Sequence, residues 1–144
     1  MLIGSLFMAD AAAPQSLPIV NVYKSPTCGC CSKWVEHLRQ DGFPVKTTLL
    51  TDGQLAELKA RHRVPSQVQS CHTALVEGYV IEGHVPVADI RKLLQDRPAI
   101  AGLAVAGMQR GSPGMEVFGA PPQTYSVLAF DKQGNVQLFA TRRG

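Results

Sequence analysis

Three cysteines within four positions, Cys28-Gly29-Cys30-Cys31, and a fourth at Cys71 are the residues of this chain whose types and spacing could do chemistry. Cys28 and Cys31 form a C-x-x-C where a β-rich run gives way to a helical pattern. At a helix start, unpaired N–H groups and the helix dipole favour thiolate over thiol. Thiolate is both the nucleophile of disulfide exchange and a ligand for soft metals. One reading is therefore a thiol–disulfide oxidoreductase, with Cys28 as nucleophile and Cys31 as resolving thiol. A buried, inert cysteine is a fair account of Cys31 alone, since it shares a helical stripe with Trp34, Val35 and Leu38. Packing gives no reason to gather three thiols.

The extra Cys30 favours metal. A third sulfur beside a redox pair would scramble it by exchange, whereas thiolates bridge metal ions and soft sulfur selects Cu(I) above all. Zinc fits less well because its two separated cysteine knuckles are missing, and iron–sulfur clusters need other spacings. The set reads as a binding site ahead of an enzyme.

Cys71 strengthens that reading. If Glu77-Gly78 is a two-residue hairpin turn, Leu75 faces Val80, Thr73 faces Glu82 and Cys71 falls opposite His84. His84 is then either a ligand or a cap for the helix that Pro86 opens. His72 points to the other face if the strand is regular through it. His37 is expected to face solvent, and His62 to complete an apolar stripe. Met108 and Met115 stand in the run Gly107 to Glu116, which is poor in other apolar side chains. Each is either a thioether ligand suited to Cu(I) or a cover for the end of the sheet.

The elements that must position these residues can be read from periodicity. Pro18 to Tyr23 is a short strand. Cys31, Trp34, Val35 and Leu38 mark a helix with Thr27 as candidate cap and Gly42 as stop. Val45 to Thr51 is a second strand, and Leu55, Leu58 and His62 share a helical face behind an Asp52 cap. Cys71 to Ile81 contains the hairpin. Pro86 opens a third helix with Val87, Ile90, Leu93 and Leu94 inward. Ala99 to Thr124 reads as one long Gly/Pro-punctuated loop. Tyr125 to Phe130 and Val136 to Ala140 form a terminal hairpin around Lys132-Gln133-Gly134. The order β-α-β-α-β-β-α is that of a thioredoxin-like α/β fold, with parallel pairing expected in its first half.

Composition supports one globular domain. Of 144 residues, 45% are apolar and 17% charged, and Lys plus Arg outnumber Asp plus Glu by 14 to 11. No basic face with interleaved aromatics appears, which argues against a nucleic-acid binder. No apolar run approaches the roughly 20 residues of a membrane span, so none is expected in the mature chain. Residues 1–17 combine a short apolar stretch with small-x-small steps near Ala9 to Ala13, and read as a signal-peptide remnant or a disordered tail. The domain proper is expected over residues 18–144.

Four strings, in this order, resemble the CopG-type periplasmic copper-resistance proteins: Tyr23-Lys24-Ser25-Pro26-Thr27-Cys28-Gly29-Cys30-Cys31, Ser70-Cys71-His72-Thr73-Ala74, Gly78 to Pro86, and Gly107-Met108 with Gly111-Ser112-Pro113-Gly114-Met115-Glu116. The resemblance runs from about Pro18 to the terminal hairpin. It implies a thioredoxin-like fold and the handling of copper or silver at the cell envelope, in the periplasm, alongside other envelope copper-handling proteins. It also implies that the cysteines are ligands. Taken with the residue chemistry above, the set for copper, as Cu(I) or Cu(II) and in one or several ions, is Cys28, Cys30, Cys31 and Cys71, with His84, Met108 and Met115 as candidate supplementary donors. Thioredoxins carry a proline directly before the third strand, shielding the reactive pair. Here Cys71 takes that place, which puts general disulfide exchange in doubt.

Overall fold

Val20, Val22 and Lys24 point alternately inward from the first strand, β1 (Val20–Lys24), while Asn21 and Tyr23 are only half-buried. This period of two sets a half-covered strand against a helix layer. The helix that follows, α1 (Gly29–Gln40), buries Cys31, Trp34, Val35 and Leu38 along one stripe. Cys28, not Thr27, occupies its cap position, and no side chain caps it. The Thr27 hydroxyl instead pairs with that of Ser25, 3.0 Å away. A cysteine at the cap places its sulfur beside the positive end of the helix dipole.

The computed structural model describes residues 16–107, 112–115 and 123–143. After α1 come β2 (Val45–Leu49), α2 (Asp52–Arg61), a 3-10 turn at Ser66–Val68, β3 (His72–Val76), β4 (Tyr79–Glu82), α3 (Val87–Asp96), β5 (Gly102–Ala104), β6 (Thr124–Phe130) and β7 (Val136–Arg143). The start of α2 is capped by Thr51, not Asp52. Thr51 and Gln54 exchange side-chain and backbone hydrogen bonds in a capping box, which satisfies two donors of the first turn at once. Leu17, just before β1, packs against the main core.

Seven strands form one sheet in the order β2-β1-β3-β4-β5-β6-β7. β1 with β2 and β4 with β5 are parallel, and the other neighbours are antiparallel. The β3–β4 register pairs Thr73 with Glu82 and Leu75 with Val80, as the Glu77-Gly78 turn requires. Alternate residues of this hairpin divide between two apolar clusters. Ala74, Val76 and Ile81 join Trp34, Leu38, Ile90 and Leu93. Val80 joins Val64, Val68 and Phe130, with Leu75 packed against them.

The expectation of an unbroken loop from Ala99 to Thr124 is corrected by β5. Three residues are too few to show a strand period. Gly102 lets β5 come close: a Cβ there would lie 2.0 Å from the Val80 carbonyl oxygen. That strand joins the terminal hairpin to the main sheet, so the hairpin is no separate appendage. Arg142 of β7 also pairs with the fully buried carboxylate of Asp89 on α3.

One buried ion pair braces the hairpin. The Lys59 ammonium, from α2, sits 2.5 Å from Glu82 and also donates to the Thr73 hydroxyl and the Ser70 carbonyl. Glu82 further accepts from the Thr73 hydroxyl at 2.6 Å and the Ser70 N–H at 3.0 Å. Burial pushes the Glu82 carboxyl upward, and Lys59 with these hydrogen bonds pulls it back. Removing one partner strands the other charge in the interior. Lys59→Met is expected to cost about 3–5 kcal/mol, read from urea unfolding against the parent. The double variant Lys59→Met/Glu82→Leu should recover much of the loss.

Candidate metal centre

The four cysteine sulfurs converge. The Sγ atoms of Cys28, Cys30, Cys31 and Cys71 all lie within 4.8 Å of one another. Cys28 and Cys31 are joined as a disulfide with Cα atoms 5.5 Å apart, while Cys30 and Cys71 are free thiols. Cys30 Sγ is 3.4 Å from Cys28 Sγ. The first three come from the start of α1, whose dipole favours the anion. Cys71 comes from the bend before β3, held by the Ser70 contacts to Lys59 and Glu82. Burial pushes the Cys71 thiol up to about 11, with Cys30 beside it adding to the rise against the Ser70 hydroxyl. A metal ion reverses that balance, since a coordinated thiol gives up its proton outright.

A second group overlaps the first. Ligand atoms of Cys31, Cys71, His72 and His84 also lie within 4.8 Å of one another. Cys31 and Cys71 belong to both groups, the arrangement that sulfurs shared between two ions would need. His84 is buried and does not cap α3, whose cap position is Pro86. Its Nδ1 contacts the Pro113 carbonyl at 2.5 Å. A carbonyl only accepts, so Nδ1 carries a proton and Nε2 is the nitrogen left to face a metal.

His72 is the residue that sequence reasoning undervalued. It was expected on the opposite face from Cys71, yet it reaches the same group. The reason is that the strand begins at His72 and pairs it with Lys24, while Cys71 lies in the bend and escapes strict alternation. The His72 ring is fully buried, 4.3 Å from that of Trp34 and 5.3 Å from that of His84. The usable signal was alternation itself, which puts His72 with Ala74 and Val76 on the face that meets α1. Burial holds His72 well below its usual pKa, with the charges of His84, Lys59 and Lys24 adding to the effect. The ring is therefore neutral at physiological pH, the form that can ligate. His37 and His62, both half-buried, lie outside the two groups.

Ser112 to Met115 passes over this site. A Cβ on Gly114 would meet the Cys30 carbonyl at 2.8 Å and His84 Nδ1 at 2.9 Å, and its φ of +90° already favours glycine. Met115, half-buried, follows directly, and its N–H bonds the Ser112 carbonyl. Met108 lies outside the described residues.

Known proteins can now be set beside this geometry. A family model described as "Protein of unknown function, DUF411" matches residues 68–115, the stretch carrying Cys71, both buried histidines and the methionine loop. Among curated proteins, none matches the chain. Two solved structures, described as "Copper resistance protein copG", Forms 1 and 2, are 38% and 37% identical to it. The alignments cover 89% and 88% of this chain and 99% and 98% of theirs, with TM-scores of 0.80 and 0.79. The chain belongs to the CopG family of copper resistance proteins. Membership in the CopG family and the convergent thiols together indicate copper handling. Among the described residues no helix is long and apolar enough to cross a membrane.

The disulfide gives a direct count. Air-exposed, metal-free protein in denaturant should show two thiols to a chromogenic disulfide reagent and four after reduction. Mass mapping should place the protected pair at Cys28 and Cys31.

Proposed function

We propose that this is a thioredoxin-like domain, over residues 18–144, that binds Cu(I) through Cys28, Cys30, Cys31 and Cys71 and contributes to copper tolerance in the periplasm. The observation that carries this reading is four sulfurs from two chain segments within 4.8 Å. Two sulfurs on one metal ion lie no further apart than two metal–sulfur bonds, about 4.6 Å for a bond of ~2.3 Å. The four sulfurs therefore already lie about as close together as one ion would hold them, once the Cys28–Cys31 bond is open. His72, held neutral, and His84 supply nitrogens on one side, and the Met115 and Met108 thioethers are the supplementary donors from the loop. The signal-peptide remnant or disordered tail assigned to residues 1–17 has to end before Leu17, which packs against the core. Silver, equally soft, is expected to bind the same donors.

The bonded pair first has to open. Two electrons from an external thiol reductant break the Cys28–Cys31 bond and leave two sulfurs for metal, so the reduced protein is the binding form. Sequestration and handing on of copper, or silver, to other envelope copper-handling proteins both follow from such a site. Redox conversion between Cu(II) and Cu(I) would use the same thiolates.

Anaerobic competition between reduced protein and a chromophoric Cu(I) chelator tests the reading. Loss of a group that merely orients a ligand costs about 10–100-fold in affinity, so Cys30→Ser, which removes a sulfur, should lose at least about 100-fold. His84→Ala should lose about tenfold while keeping the parent's circular dichroism. Copper binding unchanged in Cys30→Ser would discard the thiolate cluster.

A second reading has its own support in the Cys28–Cys31 disulfide. A thiol–disulfide oxidoreductase, with Cys28 attacking and Cys31 resolving, should catalyse insulin reduction and keep that activity in Cys30→Ser. The copper site should show neither property.

A further inference from the structure

Among the described residues two lysines are buried, and one of them is paired with a carboxylate. Lys59 is matched by Glu82. Lys24, at the end of β1, is only 6% exposed, and its ammonium donates to the carbonyl oxygens of Ser25 at 3.2 Å and Cys28 at 3.4 Å. Among the described residues no acidic side chain pairs with it. Two carbonyl dipoles orient an ammonium without neutralising it. A buried charge lacking a counter-charge is costly, and proteins keep such groups paired or place them where a charge develops.

The turn that Lys24 bonds, Ser25 to Cys28, opens the cysteine run, whose thiols can become negative. The Lys24 ammonium is folded into the Ser25-to-Cys28 turn and touches the backbone of Cys28 itself. Four thiolates carry four negative charges, and one Cu(I) returns a single positive charge. The dipole at the start of α1 supplies roughly half a charge. His72, held neutral, supplies none. A fixed cation stabilises a centre this anionic and half-buried, and the Lys24 ammonium is bonded to the backbone carbonyl of Cys28.

We propose that Lys24 is the counter-cation of the cysteine centre, stabilising the Cys28 and Cys31 thiolates once their disulfide is reduced and, with them, the anionic copper–thiolate unit. The proposal rests on the copper reading for its second half only. Its first half concerns the metal-free protein: two glutathione thiols give up two electrons, the Cys28–Cys31 bond breaks, and oxidised glutathione forms. A cation beside the sulfurs stabilises the reduced side, which makes the couple more oxidising.

Lys24→Gln keeps a donor for the two carbonyls and removes the charge. Lys24→Met also removes the donor. Lys24→Arg keeps the charge. Each variant and the parent are equilibrated metal-free in glutathione buffers at one fixed pH, trapped by alkylation and resolved by mass. Lys24→Gln and Lys24→Met should move the equilibrium about tenfold towards the disulfide, which is about 30 mV more negative for a two-electron couple. Lys24→Arg should stay within about twofold of the parent. In anaerobic Cu(I) competition the two neutral variants should lose about tenfold in affinity, the size expected of a group acting through the ligands.

A role in packing alone predicts something else: Lys24→Arg would shift as far as Lys24→Met, or the glutathione equilibrium would stay at the parent value in all three. Either result overturns the proposal. If Lys24→Met does not fold, Lys24→Gln carries the comparison. Failure of the parent to bind Cu(I) would remove the copper reading and leave the glutathione result to decide the role of Lys24.

Discussion

An ammonium and a carboxylate both withdrawn from water must meet, and the place where Lys59 meets Glu82 organises the region around the cysteines. Each charge would cost several kcal/mol alone, and here each also finishes a hydrogen-bond set. Lys59 reaches from α2 across to Thr73 and the Ser70 carbonyl, and Glu82 takes the Ser70 N–H. The pair thus ties one helix, both strands of the hairpin and the residue before Cys71 into one unit. A one-residue slip between β3 and β4 would break every one of these contacts and turn Leu75 and Val80 away from their cluster. On one face of the hairpin, the burial of Leu75 and Val80 and the ion pair beside them specify the same register.

From that register the site assembles on the opposite side of the sheet. Lys24 and His72 face each other across β1 and β3. The Trp34 indole donates to the Val85 carbonyl at 2.9 Å and lies against the His72 ring, so α1 and the segment leaving β4 are fixed to each other. This joins the helix that carries three cysteines to the chain that carries His84. The Ser112-to-Met115 segment closes over them, with Gly114 against both Cys30 and His84. Four separate pieces of chain therefore contribute to one small volume. None contributes enough donors alone.

The chemistry of that volume is a contest between burial and charge. Burial disfavours the Cys71 thiolate and keeps His72 neutral. The helix start beside Cys28 and the ammonium of Lys24 work the other way, favouring negative sulfur. The cluster thus holds some groups uncharged by burial and keeps others beside a helix start. Membership in a copper resistance family agrees with that division.

Much of this was legible in the residues before any fold was known. The C-x-C-C run at a helix start, the third thiol, and the Glu77-Gly78 turn that aligns Cys71 towards His84 are local features, governed by dipoles, sulfur softness and turn geometry within a few residues of chain. The alternating and helical periods likewise located every element long enough to show one. Tertiary structure decided the rest. β5, three residues long, exists because Gly102 lets it lie against β4, a contact with a distant strand that no period announces. His72 joined the site because the strand ends where Cys71 leaves it. Lys59 and Glu82, 23 residues apart, found each other only across the sheet, and Lys24 is buried against the Ser25 and Cys28 carbonyls only in the folded chain. Local sequence sets what a segment prefers. Where a charge ends up without water depends on what the whole chain packs around it.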